Sequence, residues 1–332
     1  MLRSMYSGIS GLKANQVKLD VIGNNIANVN TTAFKTQRVR FQDMLSQNLR
    51  EATGPGTSTG GTNPSQVGLG VQVSGIDTIM EQGNMQSTGN AFDFAIDGDG
   101  YFVVAKGKTG EEAGVEVTED GTIDTENEGV GDYEMSYTRD GSFTLDEFGQ
   151  LVTSDGYRVM GYEITGSEIT YDESGRPVIE EAADVNGENG ITATNKLVPL
   201  AIPDEVAGER VKSFTVDKNG VIKVTLSGGS MRAIGQIGMA SFKNPAGLTK
   251  EGKNLNSSSA NSGQAVFRSG VGAENSNEKG YGSINQSMLE MSRVDLAEQF
   301  TEMIVASRAF QANGKVITTG DEILQELVNL KR

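Results

Sequence analysis

The sequence predicts an α+β protein in which N- and C-terminal helices form a coiled-coil layer around a β-rich, hairpin-dense middle domain. Three observations carry that prediction. Near the C-terminus Leu289, Leu296, Met303, Phe310, Ile317 and Leu324 recur every seventh residue, and Met288, Phe300, Ile304, Leu327 and Val328 widen the stripe. Near the N-terminus Met5, Leu12, Leu19 and Ile26 keep the same spacing, with Leu2 and Ile9 at the companion position. Between the two ends the hydrophobic period falls to two, and 43 glycines against 6 prolines supply many tight turns.

A strict seven-residue repeat underwinds a helix into a supercoil, so each end of the chain is the natural partner of the other. A helix over residues 287–330 would reach roughly 65 Å at about 1.5 Å per residue, longer than a compact domain of this size needs. The plainer reading is a helical hairpin inside one globular monomer. The sharper one adds that both ends also present an apolar face to neighbouring copies. The expected self-assembly seam is Leu2, Met5, Ile9, Leu12, Leu19, Ile26, Leu289, Leu296, Phe300, Met303, Phe310, Ile317 and Leu324.

Composition narrows the class. A chain of 332 residues, 36% hydrophobic, can bury a core and hold two or three domains. It has no Cys, His or Trp, which removes disulfide scaffolds, thiolate zinc sites and imidazole chemistry. No run of about 18 apolar residues occurs, and residues 1–11 are too polar for a signal-peptide core, so neither a membrane span nor a cleaved leader is expected.

The net charge of −16 is unevenly placed. Residues 110–134 hold ten acids and no base, and residues 163–190 hold eight acids against Arg176. The rest of the chain is close to neutral, as suits surfaces that pack against copies of themselves. Both acidic stretches read as solvated surface insertions, over 107–134 and 163–195. Lys35, Arg38 and Arg40 form the one tight basic cluster and no aromatic platform accompanies them, so nucleic acid is not an expected partner.

In chain order, residues 1–32 read as a heptad helix that fades at Gly23-Asn24-Asn25 into an Asn/Thr turn, pairing with a heptad helix over 286–332. Residues 33–70 read as a connector, a strand and then a short helix, followed by a Gly/Ser/Thr-rich arm. Residues 71–162 together with 196–285 read as the β domain. Its best hairpin signal is Lys218-Asn219-Gly220 between alternating apolar runs. Gly314 and Gly320 interrupt the C-terminal seam at about 1 kcal/mol each, and Thr319-x-x-Glu322 reads as the cap of a second short helix.

Motifs for chemistry fail on inspection. Gly107-Lys108-Thr109 lacks the glycine of a phosphate loop, since Phe102 stands there. Asp93, Asp97 and Asp99 suggest a calcium loop, but Ala95 and Val104 break the ligand set. Gly56-Thr57-Ser58-Thr59-Gly60 has no His to activate its serine. No catalytic, metal or cofactor site is assigned.

The run from Asp20 through Gly23, Asn24, Asn25, Ala27, Asn28, Phe34 and Lys35 resembles the N-terminal signature of the bacterial flagellar rod and hook proteins. Ser287-Met288-Leu289-Glu290-Met291-Ser292-Arg293-Val294-Asp295-Leu296-Ala297-Glu298-Gln299-Phe300 is similar to the hook branch of that family in particular. Residues 95–102 and Tyr137-Thr138-Arg139-Asp140-Gly141-Ser142-Phe143 also resemble family segments. The resemblance spans about three quarters of the chain and leaves out residues 107–134 and 163–195.

It implies a structural, non-enzymatic subunit that stacks in many copies into an extracellular tube, with terminal helices lining the inner wall and β domains outside. It further implies export through the flagellar type III channel without a cleaved leader. The implied partners are the distal rod protein, the hook cap, the hook–filament junction protein and the export apparatus. The arm at 51–66 resembles in position one associated with distal rod proteins, which keeps the distal rod as the alternative. A secreted β-rich adhesin would need no heptads at both ends, and no constellation points to an enzyme using Asp, Glu or Lys. Removing residues 110–134 is expected to leave polymerisation intact in electron micrographs of the concentrated protein; loss of tubes would place that segment in a packing surface.

Overall fold

The computed structural model describes residues 2–57, 60–107, 114–118, 121–123, 133–172, 175–185, 191–268 and 282–330. The chain forms two compact units. Unit 1 comprises Met1–Asn30, Lys35–Ile79 and Arg293–Arg332; unit 2 comprises Thr31–Phe34 and Met80–Ser292.

Unit 1 is built on two helices, α1 (Leu2–Ala27) and α2 (Leu296–Leu330). α1 runs through Gly23-Asn24-Asn25, where the sequence suggested fading. It stops where Asn28 donates from both its backbone N–H and its side-chain amide to the Asn24 carbonyl, at 3.2 and 2.9 Å, satisfying an end-of-helix acceptor. α2 begins at Leu296, not at residue 287. Its cap is Asp295, whose carboxylate accepts the N–H groups of Ala297 at 2.8 Å and Glu298 at 3.3 Å. Asp295-x-x-Glu298 is a capping-box spacing that was readable in the sequence. α2 is continuous through Gly314 and Gly320, so Thr319 starts no second helix: at Gly320 an added Cβ would meet Met5, and at Gly314 it would meet open space.

The rest of unit 1 is two antiparallel ribbons. Gln37–Asp43 pairs with Val71–Thr78, with a bulge between Arg40 and Phe41. Asp77 holds Arg40 at 2.7 Å, and Lys35 is buried, so the basic cluster belongs to the fold. Ser46–Arg50 pairs with Ser65–Gly68 in an arm whose two strands are exposed throughout, closed further out by a Thr53–Thr62 bridge. Strands thus replace the expected short helix. At the base of the arm Gly70 has φ +134°, where a side chain would collide with the Ser10 hydroxyl of α1.

Unit 2 is an antiparallel β structure. Its main sheet runs Glu205–Val206, Glu209–Val216, Val221–Leu226, Met231–Ile237, Arg158–Ile164, Tyr101–Gly107, Tyr133–Thr138, Leu255–Ser257 and Thr249–Gly252. Residues 209–226 form the hairpin at Asn219-Gly220, with Val216 opposite Ile222 and Gly220 at φ +79°. The core is packed by Phe94, Phe102 and Phe143, the last two edge to face at 5.3 Å.

Residues 163–195 are not a solvated decoration. Ile164, Ile169, Tyr171, Ile179 and Ala182 are buried, and the Tyr171 hydroxyl donates to the Pro199 carbonyl. The acids of this stretch that point outward are what made it read as a loop. The other acidic stretch, 107–134, is not a removable decoration either: inside it Val115–Glu116 pairs with Lys196–Leu197, Val117 is buried and Tyr133 starts a core strand, so removing 110–134 would cut into the core of unit 2. Residues 108–113, 119–120 and 124–132 of that insertion, including Lys108 and Thr109, lie outside the described residues.

Glu163 is the exception among these acids, buried in a strand paired with Met231–Ile237. Burial raises its pKa, and Lys196 and the Ile169 N–H offset this only in part. A carboxyl raised in the folded state binds more protons folded than unfolded, so its contribution to stability falls as pH rises from the unfolded value of about 4.3 through the folded one. Glu163→Gln is therefore expected to raise the thermal midpoint at pH 7, with the gain shrinking toward zero near pH 4. A midpoint lowered at pH 7 would reverse the sign.

Candidate self-assembly interface on the terminal helices

α1 and α2 lie antiparallel. A Cβ added at Gly8 would approach Ile317, one at Gly11 would approach Asn313, and one at Gly320 would approach Met5. At the other end Asn25 Nδ2 donates to Gln299 Oε1 at 3.0 Å, 274 residues away in sequence. The line of closest approach on α2 is therefore the heptad Gln299, Ala306, Asn313 and Gly320. It faces Gly8, Gly11, Ala14, Val21, Ile22 and Asn25 of α1, all buried. Small residues let the backbones come together, and larger ones fill the flanks.

The expected seam sits one step round from this line. Met5, Leu12, Leu19 and Ile26 of α1 and Met303, Ile317 and Leu324 of α2 are half-buried, whereas Ile9, Leu296, Phe300 and Phe310 are exposed. Leu2 belongs to α1 by its backbone. Leu289 is not on a helix: it lies in the strand Met288–Glu290 of unit 2, paired with Met85–Ser87. Its seven-residue distance from Leu296 extended the pattern past the cap at Asp295.

The signature residues have distinct roles. Asn25 is fully buried and brackets Gln37, donating to its carbonyl at 2.8 Å and accepting its N–H at 3.1 Å. Those bonds tie α1 to the first strand while the same amide reaches Gln299. Asn24 and Asn28 close the helix end, Ala27 is its last residue, and Gly23 has open space around it. Thr36 Oγ1 donates to the Arg293 carbonyl at 2.7 Å. Phe34 belongs to unit 2, where the Lys250 ammonium sits 5.1 Å over its ring, and burial lowers the Lys250 pKa.

α2 carries a second apolar surface that the described residues leave largely open. Val305 is 59% exposed, Val316 46%, Ile323 44% and Leu327 46%, and their spacing places them on one side of the helix, off the closest-approach line. Among the described residues no helix is long and apolar enough to cross a membrane, and no group of three or more acidic, His or Cys side chains gathers as a metal site.

Known proteins share this organisation in sequence. Family profiles described as "Flagella basal body rod protein", "Flagellar hook protein FlgE/F/G D1 domain" and "Flagellar basal body rod FlgEFG protein C-terminal" match residues 5–35, 128–224 and 285–330. The flagellar basal-body rod protein FlgG of Bacillus subtilis is 43% identical, with all of both chains covered. The chain belongs to the bacterial flagellar rod and hook axial protein family. The flagellar hook protein FlgE of Borreliella burgdorferi is 32% identical and the rod protein FlgG of the same organism 34%, each again with full coverage of both chains. A crystal structure of the Helicobacter pylori flagellar hook protein FlgE2 aligns with 62% of this chain and 100% of that one, at 12% identity and a TM-score of 0.39.

Rod and hook axial proteins are structural components of the flagellum, not enzymes, and their subunits polymerise into axial structures. In this member the close approach at Gly8 is testable. Gly8→Leu is expected to destabilise the assembled polymer by about 1–2 kcal/mol per subunit, overpacking outweighing the gain in helix propensity. The readout is a lower thermal dissociation midpoint. Gly23→Ala, placed where a Cβ meets nothing within 4 Å, should leave the midpoint unchanged or raise it.

Proposed function

We propose that the chain is a subunit of the flagellar hook, stacking into a tube that serves as a flexible joint between motor and filament. One observation carries the polymerising role: the uncovered apolar face of α2 at Val305, Val316, Ile323 and Leu327, on a helix whose other side is already packed. Apolar side chains already half covered gain about 1 kcal/mol each when a neighbour covers the remainder. Sister copies are that neighbour, and the α1–α2 pairs then form a coiled-coil inner layer, with Leu2, Met5, Ile9, Leu12, Leu19, Ile26, Leu296, Phe300, Met303, Phe310, Ile317 and Leu324 in the seam. The contact between copies is heterologous and open, because a closed ring would stop growth.

The hook is favoured by the run 287–300, which resembles that branch of the family. The inner helices carry torque while the β units of successive subunits slide against one another as the tube turns, a shear motion that needs outer contacts of small energy difference. The tube is extracellular and its subunits leave through the flagellar export apparatus. Its neighbours are the distal rod protein at the base, and the hook cap and hook–filament junction protein at the tip.

The distal rod is the second reading. It is favoured by the 43% identity to a protein named as rod protein and by the extended arm at Ser46–Gly68. Deleting the gene and imaging the purified basal bodies separates the two: a complete rod without a hook supports the first, and a truncated rod supports the second. Intact rods and hooks in the deletion strain would overturn both. Phe310→Asp in the seam and Ile323→Asp on the open face of α2 should each raise the critical concentration for polymerisation at least about tenfold by placing a charge where apolar surface is to be buried, while unit 2 keeps its thermal transition. Assembly at the wild-type concentration would remove the seam from the interface.

A further inference from the structure

Two segments singled out in the sequence meet inside unit 2. Arg139, from Tyr137-Thr138-Arg139-Asp140-Gly141, is 7% exposed, and Glu290, from the run 287–300, is 2% exposed. Arg139 Nε donates to Glu290 Oε2 at 2.9 Å, and Arg139 Nη2 donates to the carbonyls of Gly98 at 2.8 Å and Ile96 at 3.3 Å. The second carboxylate oxygen of Glu290 accepts the Gly83 N–H at 2.7 Å, and its backbone carbonyl accepts the Ala33 N–H at 2.9 Å. Ala33 has φ +55°, a conformation a non-glycine residue keeps only where its surroundings hold it. At Gly83 a Cβ would collide with the Met291 carbonyl, so the chain there lies directly on the segment that follows Glu290.

Ala33, Gly83 and Glu290 are not arbitrary positions. The chain passes between the two units after Asn30, Phe34, Ile79 and Ser292, within a few residues of each. We propose that the Arg139–Glu290 pair is a clasp that fastens these crossing segments to the β core, and that its charge serves their positioning rather than the stability of the unit. Removing two charges from water costs several kcal/mol per ion, and apolar residues of similar volume replace such pairs at little or no loss of stability. What apolar residues cannot do is hold Gly83 and, through Arg139, the strand end at Ile96-Asp97-Gly98. The clasp deepens the proposed reading, since a subunit that passes torque grips its β unit through these crossings. Its test uses the free subunit, so its failure is separate from that of the hook or rod assignment.

The experiment compares hydrogen exchange, by mass spectrometry, in the full-length wild type, Glu290→Gln, and the double variant Arg139→Met/Glu290→Leu. The single variant leaves a buried cation without its anion and is expected to lose stability throughout unit 2. The double variant removes both charges and is expected to keep the thermal midpoint of the wild type. In the double variant, amides in residues 80–87 and 288–292 should exchange at least about tenfold faster, with the core strands Tyr101–Gly107 and Arg158–Ile164 unchanged. Wild-type exchange at the crossing segments in the double variant would overturn the proposal, because packing alone would then hold them. So would a double variant whose core strands exchange faster by the same factor, or one that does not fold, because the pair would then be part of the general stability of the unit.

Discussion

The close approach of α1 and α2 is the constraint on which unit 1 depends. Glycine and alanine at 8, 11, 14 and 306 bring two long helices within reach of each other's backbone, and the buried Asn25–Gln299 bond fixes their register. A buried polar pair of this kind contributes less energy than an apolar one but penalises every other alignment. The same amide holds Gln37, so the first ribbon takes its position from the helix pair. Because small and polar residues make up most of the intimate line, most of the large apolar residues of α2 are left on its flanks and on another face of the helix. In the proposed reading, this half-covered surface is what a subunit offers its neighbours.

Much of this was legible in the sequence, and the gaps have physical causes. Heptad spacing gave both helices and their pairing, since period 3.5 is a property of helices alone. It misplaced the contact line because it counts hydrophobicity, whereas interhelical distance is set by size: Gln299, Asn313 and Gly320 carry little hydrophobic signal yet sit at the centre. Leu289 fits the repeat by coincidence of spacing, and the capping pair Asp295 and Glu298 was the stronger marker of where the helix begins. Strand periodicity and the Asn219-Gly220 turn were readable for the reason that pleat and turn chemistry are local. Residues 163–195 were misread since abundant acids on the outward face outnumber the few apolar residues, Ile169, Tyr171 and Ile179, that tie the segment into the core.

The Arg139–Glu290 contact lay beyond any reading of spacing, being a meeting of residues 151 apart in sequence. Its context shows how family-like segments that seem independent along the chain serve one arrangement. Gly141 lets the loop after Arg139 pass so close to the Phe94 carbonyl that no side chain fits, and that loop delivers the guanidinium to the turn at Gly98. The strand at Met288–Glu290 delivers the carboxylate. Neither segment carries chemistry; each is a fitting whose counterpart lies elsewhere.

The antiparallel pairing also sets an order of events in the cell. α1 is translated ahead of the β unit, and its mate α2 only behind it. At roughly 5–20 residues per second, the first helix spends some tens of seconds without the surface that shelters its apolar side. The two helices therefore pair only after the β unit between them in sequence has been translated, and the register set by Asn25 and Gln299 is the last part of unit 1 to form.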